Sequence, residues 1–130
     1  MNTKILMIAS SVFLGAIGIG LTFLNEEIAE VLSVDTGKIS LLILQVLGSV
    51  YLGFAMLNWM TKNNLIGGIY SRPLLIGNLT HFLVSAFALI KMVGHSENQF
   101  EIMLTLAIIY AVFSLGFGYV FMTNPNKLIK

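Results

Sequence analysis

Four long runs of apolar residues, 5–24, 39–61, 73–92 and 102–123, make up most of this chain, and short polar stretches separate them. Each run reaches about 20 residues, which is what a helix rising about 1.5 Å per residue needs to cross a hydrocarbon core of about 30 Å. Lys91, near the end of the third run, is the one charged residue inside them, and from there its long stem lets the ammonium snorkel to the interface. The predicted fold is therefore all-α: an up-down bundle of four transmembrane helices, forming a single domain over residues 1–130. The first run follows Lys4 as a signal sequence would. Its apolar stretch exceeds the roughly 7–15 residues of a signal core, and no small-residue cleavage site follows, so a retained first helix is expected.

The polar breaks have patterns of their own. In 25–38, Asn25 is placed to cap a short helix, with Glu26 and Glu27 at its positive end. Ile28, Val31 and Leu32 are expected on one face of it, so that it lies on the membrane surface. Asp35-Thr36-Gly37 has the aspartic-protease triplet, but that chemistry needs two such carboxylates sharing a proton; a turn leading into the next helix is the better reading. The stretch from Lys62 to Arg72 is apolar in its middle and reads as an apolar connector between adjacent helices; the alternative is a segment that dips into the interface about the hinge Gly67-Gly68. Asn124-Pro125-Asn126 is expected to end the last helix.

Within the runs, small residues recur at spacing four: Ser11/Gly15, Ala16/Gly20, Ser49/Gly53 and Ser114/Gly118. Such pairs let membrane helices approach closely, within one bundle or between copies. Gln45 and Ser49 share a face and could hydrogen-bond across helices. Trp59 suits the aromatic belt at the inner interface.

The strongest polar feature is Arg72-Pro73 followed by Asn78, His81 and Ser85. Proline is pre-set for a helix start. The three polar residues, spaced by three and four, form one stripe, and a stripe at that depth must face protein, water or ligand. His81 lies nine residues past Arg72, about 13 Å along the helix. Equal depth reaches Ser11, Tyr51 and Ser114 in the other runs, so a layer of Ser11, Tyr51, His81 and Ser114 is expected, with Asn78 one turn away. This layer could fix helix register. It could also hold the polar head of a lipid or quinone, with Phe54, Phe82 and Phe117 lining the apolar part.

Charge orients the bundle. Lys4, Lys62, Arg72, Lys127 and Lys130 fall on one side with no acid, while Lys38 and Lys91 share the other with Glu26, Glu27, Glu30, Asp35, Glu97 and Glu101. The basic residues place both termini in the cytoplasm of a multi-pass protein of the inner (plasma) membrane, with Lys62 and Arg72 at the level of the lipid phosphates. Only 10% of the 130 residues are charged and 57% are hydrophobic, too few charges for a water-facing surface. A net charge of +1 without a basic tract excludes a nucleic-acid partner, and the lack of cysteine excludes thiolate chemistry.

Catalysis is hard to assemble from what is left. Ser11 or Ser114 with His81 supplies a nucleophile and a base, but no carboxylate lies at that depth to orient them. Proton transfer through His81 would lack the buried acid that relays use. Haem ligation by two histidines would need His95, which belongs to an outer loop. No cofactor is expected, and the partners are membrane lipids, a membrane protein or a second copy.

Tyr51-Leu-Gly-Phe-Ala-Met-Leu-Asn-Trp59, with Arg72-Pro and Gly77-Asn78-Leu-Thr-His81, resembles small bacterial four-helix membrane proteins of the DoxX-like kind. The resemblance implies the four-helix architecture and brings no activity or catalytic residue with it.

Overall fold

The computed structural model describes residues 3–64, 71–95 and 99–123. They form five helices: α1 (Thr3–Phe23), α2 (Asn25–Val31), α3 (Lys38–Thr61), α4 (Arg72–Val93) and α5 (Phe100–Met122). Among the described residues there is no strand. Four of the helices, α1, α3, α4 and α5, are long and apolar enough to cross a membrane. They coincide with the four apolar runs, their ends shifted by two residues at most. The expectations for the connector or dip at 65–70, for the outer-loop residues 96–98 and for the stop at Asn124-Pro125-Asn126 lie outside the described residues. The chain divides into two compact units, Met7–Lys62 and a second of Met1–Leu6 with Asn63–Lys130.

In the first unit α1 and α3 run antiparallel. Ser11 Oγ donates to the Ala55 carbonyl at 2.7 Å, and near the other end of α1 Thr22 packs on Gly48. Between these points the backbones nearly touch. A Cβ placed on Gly18 would lie 2.9 Å from the Leu52 nitrogen and 3.0 Å from the Gly48 oxygen. Lipid tails are as apolar as leucine, so no hydrophobic force drives two such helices together; close packing does. The seam thus runs through Ser11, Gly15, Gly18 and Thr22. The other small residues lie off this seam: Ala16 is exposed, Gly20 faces Ile28 of α2, and Ser49 and Gly53 are exposed. Gln45 and Ser49 form no cross-helix pair either: both are exposed, and Ser49 Oγ donates to the Val46 carbonyl in its own helix.

The short helix differs from expectation in its cap. Leu24 occupies the N-cap position, and Asn25 lies inside the first turn, its Nδ2 reaching the Leu41 carbonyl at 3.4 Å. Its inward residue is the fully buried Ala29, whereas Val31 is 59% exposed. The helix ends in a Schellman arrangement: the Val34 N–H donates to the Ala29 carbonyl and the Ser33 N–H to the Glu30 carbonyl. Ser33 adopts a φ of 54° there, a conformation usually left to glycine or asparagine. Asp35-Thr36-Gly37 is irregular chain with a bend at Gly37 rather than the expected turn, which falls earlier, at Leu32-Ser33; Gly37 takes the N-cap of α3, and Asp35 accepts a hydrogen bond from Ser40 Oγ at 3.2 Å.

In the second unit α4 and α5 pack along their length, also antiparallel. Leu79 lies beside Gly118 and the His81 ring beside Tyr110. Pro73 stands in the first turn of α4, where its missing N–H costs nothing.

Candidate functional site

Phe82 is the centre of the second unit's interior. It is fully buried on α4, and its ring stacks on Phe117 at 5.5 Å and 11° and on Phe113 at 4.8 Å and 27°. Tyr110 of α5 closes the group at 5.5 Å. The spacing 110, 113, 117 puts these rings on one helical face, so they are core residues by periodicity and a stacked set by geometry. His81 borders the cluster. Its ring meets Phe82 edge-on at 5.2 Å and Tyr110 at 5.8 Å. The histidine is half-buried with its Nε2 atom shielded from solvent.

The other members of the expected stripe separate by role. Asn78 is fully buried, and its Nδ2 donates to the Leu74 carbonyl one turn back at 3.0 Å, so part of its amide is spent inside α4. Ser85 is half-buried and Ser114 buried. Ser11 and Tyr51 are buried as expected, but they belong to the first unit, Ser11 bonding to α3. The expected layer thus draws two residues from the first unit and its others from the second. Of the expected apolar lining, Phe82 and Phe117 touch each other, and Phe54 lies half-buried on α3. An open groove of about 370 Å3 exists at the start of α5, lined by Glu101, Ile102, Thr105 and Leu106; His81 is not among its walls.

The first unit holds a polar pair that the sequence reading did not single out. Asn58 Nδ2 donates to Ser10 Oγ at 3.0 Å, Ser10 Oγ donates to the Met7 carbonyl at 3.1 Å, and both side chains are fully buried. Asn58 stands beside Trp59, which drew attention as an interface residue. The missed signal was register: Gly48, Tyr51, Ala55 and Asn58 follow one another at three and four residues and form the buried face of α3. A double-mutant cycle of Asn58→Leu and Ser10→Ala, read by reversible unfolding in mixed micelles, is expected to give a coupling of about 0.6 kcal/mol, as interhelical hydrogen bonds in membranes do. Zero coupling would mean that the pair does not form.

At the C-terminal end of α3, Lys62 is the C-cap residue and its Nζ lies 3.1 Å above the Trp59 ring. Arg72 opens α4 and is exposed. Among the described residues no three His, Cys, Asp or Glu side chains gather where they could hold a metal ion.

With these sites in place the chain can be set against known proteins. No protein family, curated protein or solved structure matches it. Function must therefore be read from its own residues.

Proposed function

We propose that this chain is a non-enzymatic protein of the inner membrane, with four spans packed up and down and both termini cytoplasmic, and that it serves as an accessory or interaction subunit. One observation carries this reading. Gln45, Ser49 and Gly53, four residues apart on α3, lie on an exposed strip, and a Cβ on Gly53 would meet nothing within 4 Å. An amide facing hydrocarbon lacks the partner it would have in water. A neighbouring membrane helix laid along this strip would bond Gln45 and settle against Ser49 and Gly53.

The test exploits the open space at Gly53. Gly53→Leu should leave helicity unchanged, yet remove associated copies or partner chains from the mild-detergent extract, as seen by native mass spectrometry. Gln45→Leu should weaken the association in the same direction. A wild-type chain that emerges alone would overturn the reading.

A second reading, a lipid- or quinone-binding protein, has its own support in the His81 ring, which sits against Tyr110 and Phe82. An imidazole and a phenol beside aromatic walls suit a polar head on an apolar body. A monomer that retains one lipid or quinone, and loses it in His81→Leu, would favour this second reading.

A further inference from the structure

The inner end of α3 carries a feature that subunit association does not use. α3 has 24 residues, about 36 Å of helix, which is longer than a hydrocarbon core of about 30 Å. Its last turn therefore reaches the headgroup boundary. There Trp59 is half exposed, with Met56 and Met60 exposed beside it, so in a membrane the indole would meet the upper acyl chains. The Lys62 ammonium rests 3.1 Å over that indole.

The ring attracts a cation through its quadrupole and leaves the charge uncancelled. It covers one side of the ammonium and leaves N–H donors on the other. In sequence no carboxylate lies between Asp35 and Glu97, so this end of the helix brings no acid of its own to the lysine. Stacking also restricts the lysine stem, which would otherwise swing freely into water. The charge is thus held at one depth relative to the helix end, beside the exposed Trp59 ring.

We infer that Trp59 and Lys62 form a headgroup site for an anionic phospholipid: the ammonium holds the phosphate and the indole packs on the glycerol and upper acyl chain. The occupant is a lipid, since half of the site is the apolar face of Trp59, which free phosphate would leave uncovered. Attraction of basic residues to an anionic surface is enough to enrich such lipids locally by roughly threefold to fivefold.

Trp59 is the only tryptophan of the chain, so its fluorescence reports on this site alone. The full-length protein is reconstituted into phosphatidylcholine vesicles containing an equal minor fraction of brominated phosphatidylglycerol or of brominated phosphatidylcholine. Bromine quenches indole only near contact. The anionic lipid should quench Trp59 roughly threefold to fivefold more effectively. Lys62→Gln should abolish the preference and Lys62→Arg should keep it. Lys91→Gln, at the far end of α4, should leave it unchanged, and helicity should be equal throughout. Equal quenching by the two lipids, or a preference that survives Lys62→Gln, overturns the site. So does loss of the preference on adding millimolar inorganic phosphate, which would reveal a free-phosphate site instead.

Discussion

Gly18→Ala is expected to destabilise the α1–α3 hairpin by about 1–3 kcal/mol, the usual cost of overpacking a tight contact. The new methyl would sit 2.9 Å from the Leu52 nitrogen and 3.0 Å from the Gly48 oxygen. Both are backbone atoms that cannot swing aside, so the helices must part. Parting stretches the bonds from Ser11 to Ala55 and from Asn58 to Ser10, which fasten the same seam. Gly48→Ala meets the Gly18 oxygen and the Thr22 nitrogen at 3.0 Å and should act in the same direction. Gly53→Ala is the control, because it meets nothing within 4 Å; its effect should stay within about 0.5 kcal/mol. Reversible unfolding in mixed micelles measures all three. Equal stability of Gly18→Ala and Gly53→Ala would show that the close seam is not formed.

Phe82→Ala is the second large effect. In a soluble protein, removing a buried phenylalanine costs about 3–5 kcal/mol, part transfer from water and part cavity. In a bilayer the transfer part falls away, since the unpacked side chain returns to lipid that is equally apolar. The cavity part stays. At about 24 cal/mol per Å3, the space vacated by a benzyl group costs about 2 kcal/mol. The loss should appear as earlier unfolding of the α4–α5 pair, because Phe82 is the ring that contacts Tyr110, Phe113 and Phe117 together. Phe82→Leu should recover part of it. Phe87→Ala, a change at an exposed ring of the same helix, should cost little. If both phenylalanine substitutions cost the same, the aromatic cluster contributes nothing specific.

The candidate site was only partly legible in the chain. Periodicity put Asn78, His81 and Ser85 on one stripe, and the structure keeps Asn78 buried and the other two half-buried. Periodicity gave no warning that Tyr110 would be the ring opposite His81, since the partner of a helix face depends on how far two helices slide past each other. Asn25 illustrates the same limit on a smaller scale. A good capping residue falls inside the helix, because the backbone bonds run on from Gly20 through Leu24 to Ile28, and its amide reaches the Leu41 carbonyl on another helix instead.

The number, length and apolar character of the spanning helices followed from residue order alone. A run of about 20 apolar residues satisfies its backbone polar groups in oil only as a helix, whatever its neighbours. Which face of each helix turns inward was decided by the fold. Lipid-facing and protein-facing positions are equally apolar, so hydropathy cannot separate Gly18 from Gly20 or Gly48 from Gly53. Contact geometry can: Gly18 and Gly48 bring two backbones within reach, Gly20 faces Ile28, and Gly53 faces open space.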